Sequence, residues 1–392
     1  MSQSAHPSNV SGEALIVGAG VAGLAAGIAL RQNGTGVRVL EQAPAIREVG
    51  AGLQISPNGT RVLRALGLEP ADFGTLTQAV ELRDARGRLV TRLNPPVAPG
   101  FFLVHRADLV DALAGRLYAA GGVIETGVQV TDVALAGVEL TTSGGAPRTA
   151  ALVIGADGLH SQLRTALNGF AAPFFTGQVA WRATIPGDSG PPVAQVFMGP
   201  GRHLVSYPLR GGQLRNIVAI EERRQWAAEG WHHRDDPAAL RAAFAGFGGP
   251  VRDWLEAVQE PYLWGLFRHP VAACWQDGRG RVAILGDAAH PTLPFMAQGA
   301  NLALEDAWVL AKCLESSPSD AATAFIRYQK FRAPRARAVV AAANGNARAY
   351  HLRAPLAPLA HTLLRLGDRL SPGLAFKRYA WIHDHDVTAR LP

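Results

Sequence analysis

The sequence of 392 residues has few cysteines, no block of like charges and no long apolar run, and each absence excludes a class of protein. The two cysteines, Cys274 and Cys313, lack CxxC spacing and no histidines cluster near them, so neither a disulfide framework nor a metal site is expected. The formal net charge of +7 comes mainly from dispersed arginines, with no run of five or more like charges. This pattern argues against a nucleic-acid partner.

Targeting and membrane signals are also missing. No apolar stretch reaches the roughly 18 residues that suggest a transmembrane helix. Residues 1–12 are polar and lack the apolar segment of a signal peptide. We therefore expect a cytoplasmic protein without a membrane span, either a monomer or a homodimer. No internal repeat or low-complexity linker is present, so the parts of the chain are expected to interlock.

The first ordered segment has the pattern of a dinucleotide-binding unit. Residues 14–17 and 37–40 are short apolar strands, and the pattern between them predicts a helix that Asn33-Gly34 ends. Glu41 follows the second strand, where an acid can bind ribose hydroxyls.

The turn between the first strand and this helix contains one GxGxxG motif. Gly18 allows a tight turn, Gly20 lets the backbone approach a pyrophosphate, and Gly23 lets the helix pack on the strand. A lone motif of this kind is weak evidence, but the order strand, helix, strand and acid makes it specific. The chain contains neither a second such unit nor a CxxxxC pair, which argues against enzymes of the glutathione-reductase type.

A second informative stretch runs from Gly286 to Ala307. An apolar strand at 282–285 ends at Gly286-Asp287, and two prolines then hold an extended loop. After Gly299 an amphipathic helix is expected. Free N–H groups at such a helix start favour a negative charge, so an anion or polar ring is expected there.

Other segments predict the rest of the fold. A strand at 149–154 ends in Gly155-Ala156-Asp157-Gly158, and residues 47–59 are expected to form a loop before a helix at 58–66. Alternating segments between 171 and 275 predict an antiparallel sheet rich in aromatic residues. From Ala300 onward the chain is expected to be helical, with breaks at Pro334 and Pro372.

The three motifs, in this order and spacing, resemble the single-component flavin-dependent aromatic hydroxylases, the class that includes p-hydroxybenzoate hydroxylase. The similarity covers about residues 14–350 and is greatest to the salicylate hydroxylase and 3-hydroxybenzoate 6-hydroxylase branch. It implies an α/β fold in which a Rossmann-like FAD-binding domain is interleaved with an antiparallel-sheet substrate domain, followed by a helical C-terminal region. The implied FAD-binding parts are 12–75, 100–170 and 276–330. The substrate domain is 171–275, with 76–99 possible as an addition, and the C-terminal helices are 331–392.

The resemblance also implies cofactors and roles. FAD would be the bound cofactor, NADH or NADPH a transient reductant, and a C4a-hydroperoxyflavin formed with O₂ would hydroxylate a small aromatic acid or phenol. Asp157 would serve FAD and nicotinamide binding, Asp287 the ribityl or pyrophosphate part, and the loop before Asn301 the flavin ring. The full set of cofactor-binding expectations is Gly18, Gly20, Gly23, Glu41, Arg47, Gln54, Arg106, Asp157, Asp287, Pro294, Gly299, Ala300 and Asn301.

The substrate side is less explicit. His203 and Tyr207 are spaced by four on a predicted strand, so both side chains should lie on one face. We expect them to act on the substrate, His203 as base or orienting group, although each could be a structural residue of the sheet. Arg182 could bind a substrate carboxylate, but a surface ion pair is the favoured interpretation. His290 is expected to shape its loop and not to exchange protons.

Two alternatives remain at this point. The same fold could act on a larger or heterocyclic ring, such as an alkyl quinolone, a hydroxypyridine or a polycycle, or could form epoxides. A protein of another class would hold FAD without oxygenating anything.

Overall fold

The computed structural model describes residues 12–46, 52–145, 147–223, 233–370 and 374–389. Within them the strands are β1 (Glu13–Val17), β2 (Gly36–Glu41), β3 (Gly52–Ile55), β4 (Gly74–Leu76), β5 (Ala79–Asp84), β6 (Leu89–Leu93), β7 (Phe102–His105), β8 (Val123–Thr126), β9 (Val130–Ala134), β10 (Glu139–Thr142), β11 (Arg148–Thr149), β12 (Leu152–Gly155), β13 (Phe174–Pro186), β14 (Val193–Gly199), β15 (Arg202–Leu209), β16 (Leu214–Glu222), β17 (Tyr262–Arg268) and β18 (Val282–Ile284). The α-helices are α1 (Val21–Gln32), α2 (Pro57–Ala65), α3 (Arg106–Ala119), α4 (Gln162–Asn168), α5 (Pro237–Ala243), α6 (Val251–Ala257), α7 (Gly299–Glu315), α8 (Ala321–Tyr350), α9 (Leu356–Leu370), α10 (Leu374–Lys377) and α11 (Ala380–His383).

A parallel sheet of five strands, in the order β18-β12-β1-β2-β8, supports the glycine-rich turn. Its central strands are continuously apolar, and Ile16, Val153 and Ile154 are fully buried. Parallel strands with elements on both faces require this composition. Helix α1 follows β1 directly and buries most of its residues against the same core. The carboxyl ends of β1, β12 and β18 therefore place three loops close together.

A second sheet has seven strands in the order β17-β13-β16-β15-β14-β5-β6. All neighbouring pairs are antiparallel except β14 and β5, which are parallel. Strands β5 and β6, from the segment 76–99, thus extend the sheet built mainly from residues 171–275. One face packs on α5 and α6 through a core containing Trp181, Phe197 and Phe244. The mixed α/β architecture with C-terminal helices agrees with the fold class expected from the sequence.

Two local expectations were wrong. Residues 52–55 are not loop but strand β3, paired antiparallel with β7 at Phe102–His105. Such a distant partner leaves no local signal. Pro334 does not end a helix either, because it lies inside the 30-residue helix α8. Proline in a helix interior costs about 3 kcal/mol, and the ion pairs of Arg332 and Arg335 on either side of it hold the helix against α7. Pro372 lies outside the described residues.

No helix among the described residues is long and apolar enough to cross a membrane.

Candidate active site

A cavity of about 1210 Å³ lies where the two sheets meet. One wall comes from the glycine-rich turn, the loop after β18 and the start of α7. The opposite wall comes from the inner face of the seven-stranded sheet. Helices α9 and α10 add residues at a third side. We call the first two the flavin-side wall, because the sequence resemblance implies FAD at these segments, and the sheet wall.

The three glycines of the motif differ in what excludes a side chain at each position. A Cβ at Gly18, where φ is 103°, would lie 2.4 Å from the Ala156 carbonyl oxygen, and one at Gly23 would lie 2.0 Å from the Gly18 oxygen. Both positions are therefore fixed by contacts within the protein. A Cβ at Gly20 would meet no protein atom within 4 Å, yet Gly20 lines the cavity. The requirement at Gly20 thus comes from what the cavity holds, as expected for a backbone that touches a pyrophosphate.

Two acids of the sequence motifs do not line the cavity. The carboxylate of Glu41 accepts hydrogen bonds from the backbone N–H groups of Ala19 and Ala43, each at 2.8 Å. Asp157 accepts from the Ser161 hydroxyl at 2.5 Å and from the Gln162 N–H at 2.8 Å. Both carboxylates therefore hold the cofactor-side loops in shape, Glu41 at the glycine-rich turn and Asp157 at the start of α4. Burial raises the pKa of Asp157.

Asp287 and Arg106 do line the cavity. The Asp287 carboxylate is exposed to the cavity while protein surrounds it on its other sides, and this desolvation raises its pKa. The nearby side chains of His290, Arg106 and His269 oppose that rise in the pKa of Asp287. Asp287 lies just after the parallel strand β18, and Arg106 is close to it. A carboxylate can bind hydroxyl groups and a guanidinium can bind phosphate, so the two residues fit a ligand that carries both.

The start of α7 forms the floor of the flavin-side wall. Pro294, Gln298, Gly299 and Ala300 line the cavity, and Gln298 makes no side-chain hydrogen bond that caps the helix. The first-turn N–H groups of this 17-residue helix are thus left to the cavity. Such a terminus stabilises negative charge on a ring or anion placed against it.

Asn301 has a different place from the one expected. It is fully buried, its side-chain oxygen accepts from the Ser56 N–H at 3.0 Å, and its amide group donates to the Gln54 carbonyl at 3.0 Å. It ties the start of α7 to the segment from β3 to α2. Gln54 itself lines the cavity.

His290 lies behind this wall in a closed ionic cluster. The fully buried ring is bonded through Nε2 to Asp306, which also accepts from Arg332 at 2.7 Å and from the Gly286 N–H at 3.1 Å. His290 does not line the cavity. The cluster fixes the loop from Gly286 onward to α7 and α8, which is a structural role.

His203 and Tyr207 project from β15 into the cavity. Both are almost completely buried by protein, 1% and 4% exposed. Gly52 makes room for the Tyr207 ring, since a Cβ there would lie 2.4 Å from ring atom Cε2. Burial raises the pKa of Tyr207 well above its usual value, so the phenol keeps its proton.

Sequence reasoning missed the partners of His203. Its Nδ1 lies 2.7 Å from Nε2 of His351, and Nδ1 of His351 lies 3.0 Å from a carboxylate oxygen of Glu222. His351 is 148 positions further along the chain, directly after α8, and no motif marks it. Burial, followed by the neighbouring His351, holds the pKa of His203 well below its usual range. His203 is therefore neutral near pH 7, with Nε2 as the ring nitrogen that can meet a ligand.

Arg182 on β13 lines the cavity, with its guanidinium carbon 5.2 Å from the Trp264 ring centroid. This position differs from the surface location favoured by sequence. Its charge is close enough to Tyr207 to lower the pKa of that phenol against the effect of burial. The sheet wall thus combines a neutral histidine, a phenol and a guanidinium.

The expected residues thus fall into groups. Those that line the cavity are Gly20, Gln54, Arg106, His203, Tyr207, Asp287, Pro294, Gly299 and Ala300. Those that lie outside its lining are Gly18, Gly23, Glu41, Asp157 and Asn301. Arg47 lies outside the described residues.

Comparison with known proteins identifies the family. Residues 12–343 match the family model described as an FAD binding domain. The chain is 35% identical to the 3-amino-4-hydroxybenzoate 2-monooxygenase of Streptomyces platensis, over 97% of this chain and 98% of that protein. It is 34% identical to the 3-hydroxybenzoate 6-hydroxylase of Polaromonas naphthalenivorans, over 86% and 88%. A solved substrate complex of salicylate hydroxylase superposes with a TM-score of 0.79 at 27% identity, covering 96% of each chain.

These matches extend over nearly the whole chain and include both walls of the cavity. The Gly20 turn, Asp287 with Arg106, and the uncapped start of α7 fit FAD, and NAD(P)H is the reductant with which such enzymes work. The chain is a flavoprotein monooxygenase and belongs to the FAD-binding family of single-component aromatic hydroxylases.

Proposed function

We propose that this enzyme uses NAD(P)H and O₂ to hydroxylate a small phenol that carries a carboxylate, a compound of the hydroxybenzoate class. The observation that carries the proposal is the sheet wall: His203, Tyr207 and Arg182 line one cavity opposite the start of α7. The relatives named above act on hydroxylated benzoates. The sheet wall has one group suited to each part of such a molecule.

The flavin-side wall would hold the cofactor. Gly20 and Arg106 would bind the pyrophosphate, Asp287 the ribityl chain, and the N–H groups of Gly299 and Ala300 would stabilise the charge of the reduced ring. The chemistry that FAD would supply here, with NAD(P)H as reductant, is activated oxygen for the substrate ring. Gln54, Pro294 and Asn301 keep the loop and the helix start in position beside the ring.

The sheet wall prepares the substrate. The neutral His203 accepts the phenol proton at Nε2, and the resulting phenolate directs electron density to its ortho and para carbons. Tyr207 retains its proton and donates a hydrogen bond to the substrate oxygen. Arg182 binds the carboxylate, where a charge-assisted contact fixes which ring carbon faces the oxygen donor.

A substrate screen tests the proposal directly. The FAD-loaded enzyme is mixed with hydroxybenzoates, aminohydroxybenzoates and matched phenols without a carboxylate, and NADH and NADPH consumption is followed. Mass spectrometry then measures product against reductant consumed. The proposal requires a carboxylated phenol to give stoichiometric hydroxylated product, and it fails if reductant use yields only reduced oxygen species throughout the panel.

A second candidate function is hydroxylation of a larger substrate, for example an alkyl quinolone or a polycycle. The cavity continues from the sheet wall toward α9, where its lining includes His361 and an apolar group made of Leu82, Leu93, Met198, Leu363 and Leu364. An apolar extension of this kind suits an alkyl chain or a fused ring. Alkyl quinolones and naphthols in the same panel decide between the two classes.

A further inference from the structure

Three hydrogen-bonded side chains, those of His203, His351 and Glu222, connect the sheet wall to solvent. His203 lines the cavity, while the Glu222 carboxylate is 41% exposed. The His351 side chain between them is only 2% exposed. Two hydrogen bonds, of 2.7 and 3.0 Å, therefore span the distance from the substrate side to water.

We propose that these three residues form a proton relay that carries the substrate's phenolic proton to solvent and returns a proton to the product. This inference rests on the proposed function, because it requires a phenol at His203. It assigns functions to His351 and Glu222, two residues that no sequence motif marks.

The transfer balances without a charged histidine intermediate. The phenol O–H bond breaks and its proton joins Nε2 of His203, whose Nδ1 proton passes to Nε2 of His351. The Nδ1 proton of His351 passes to the Glu222 carboxylate, which releases it to water. Both rings change tautomer and remain neutral, and the same steps in reverse protonate the product phenolate and restore the starting tautomers.

The surroundings of the relay favour neutral rings. His203 is packed against the rings of Tyr350 and Phe295, at 5.1 and 5.9 Å between centroids, which keep its immediate environment apolar. A lasting positive charge there would be costly. Passing a proton on to His351 avoids that charge.

Charged side chains lie beside the outer half of the relay. Burial lowers the pKa of His351, Glu222 opposes this shift, and Arg202 and Arg353 add to it. Arg353 also bonds the second carboxylate oxygen of Glu222 at 3.0 Å, which leaves the first oxygen directed at His351. Backbone contacts support this geometry, since Gly201 donates to the His351 carbonyl at 3.3 Å and accepts from the Glu222 N–H at 2.8 Å.

The test follows the proton and the phenolate separately. Oxidised, FAD-loaded enzyme in weak buffer with a pH indicator is mixed in a stopped-flow instrument with 4-hydroxy-3-nitrobenzoate. The phenolate of this probe absorbs visible light, so one trace reports ionisation of the phenol and the other reports release of the proton. The variants are Glu222→Gln, which removes the exit carboxylate, and His351→Gln, which removes the middle group.

A matched control is available on the same strand. Glu221 neighbours Glu222 but its carboxylate pairs with Arg202 and Arg223, at 3.2 and 3.4 Å, and takes no part in the relay. Glu221→Gln should release the proton at the wild-type rate. Glu222→Gln and His351→Gln should bind the probe with nearly unchanged affinity but slow proton release about 100-fold or more, the lower end of what a positioned proton-transfer group contributes.

The outcomes separate the relay from the function itself. If the wild-type enzyme forms no phenolate from any carboxylated nitrophenol, the proposed phenol site is wrong. If it forms phenolate and Glu222→Gln and His351→Gln release the proton as fast as wild type, the relay is overturned and the proposed function stands. A slowing in Glu221→Gln equal to that in Glu222→Gln would also overturn the relay, because it would show a general effect of lost surface charge.

Discussion

Two histidines of this protein are equally buried and have opposite surroundings. His290, behind the flavin-side wall, is bonded to Asp306 within a cluster that Arg332 and the Gly286 N–H complete. His203, on the sheet wall, faces the cavity and connects through His351 to an exposed carboxylate. Burial alone therefore does not indicate a catalytic histidine.

The difference lies in which of the two histidines contacts the cavity and solvent. His290, Asp306 and Arg332 are each at most 1% exposed, and none of the three lines the cavity. From His203, hydrogen bonds lead from the cavity to the exposed carboxylate of Glu222. The flavin-side wall is thus built to stay fixed, and the sheet wall is built to exchange a proton.

The largest expected effect concerns the flavin-side wall alone. Gly20→Val should abolish FAD retention, because its side chain would occupy the space that the pyrophosphate needs. The measurement is flavin absorbance after desalting, with circular dichroism to confirm folding. Gly115→Val is the matched control, since a Cβ at that exposed helical position meets nothing within 4 Å. Full flavin absorbance in Gly20→Val would disprove the assignment of this turn.

The next effect tests the closed cluster. Asp306→Asn removes the carboxylate that binds His290 and leaves buried Arg332 with only its pair to Glu305. Such losses cost about 3–5 kcal/mol of folding stability. Urea unfolding measures the change. Glu315→Gln, which breaks the half-exposed pair with Lys312, should cost at most about 1 kcal/mol. Equal effects of the two substitutions would contradict the structural role of the cluster.

His203→Gln should affect catalysis and leave FAD binding and folding intact. FAD should remain bound, and the rate of hydroxylation should fall about 100-fold, the magnitude typical of a lost general base. Single-turnover product formation measures this loss. An unchanged yield and rate would remove His203 from the chemistry.

A smaller effect is expected at Arg182. Arg182→Gln should raise KM about tenfold for a carboxylated phenol, the lower range for a lost hydrogen bond to a charged group. For the matched phenol without a carboxylate, KM should not change. Steady-state kinetics with both compounds provides the comparison, and an equal rise in KM for the two would assign Arg182 to packing.

The smallest effect concerns the pH dependence of folding stability, which should differ between His203 and the cluster that holds His290. The folded-state pKa of His203 lies below its unfolded value of about 6.5. Its contribution to stability is therefore present above that pH and is lost as the pH falls below it. The pKa values of Glu305 and Asp306 are lowered from ordinary values of 4.5 and 3.8, so their contribution is lost only below about pH 4.5.

Unfolding curves from pH 7.5 to 3.5 should resolve these two ranges. His203→Gln should lose less stability than wild type between pH 6.5 and 5, while Asp306→Asn should lose less below that range. If His203→Gln and wild type lose stability in parallel, folding does not lower the pKa of His203, and the apolar environment assigned to its ring is wrong.

The two walls also differ in how much of them could be predicted from sequence. The glycine-rich turn, Asp287 and the start of α7 form from short segments whose glycines, prolines and acids have local causes, and the fold followed from them. His351 and Glu222 meet His203 only through long-range packing, and Arg182 faces the cavity because of strand register. Asn301 was placed at the cofactor from its position in a motif, whereas its side chain is bonded to Ser56 and Gln54.

The role of His203 in removing the phenol proton is tested most directly by a pH titration of a phenol bound to the oxidised, FAD-loaded enzyme. With 4-hydroxy-3-nitrobenzoate, visible absorbance across a pH series reports the pH at which the bound phenol loses its proton. We expect the wild-type enzyme and a folded His290→Asn variant to lower that pH equally, while His203→Gln does not lower it. A bound phenol that ionises at the same pH in wild type and His203→Gln would contradict the account.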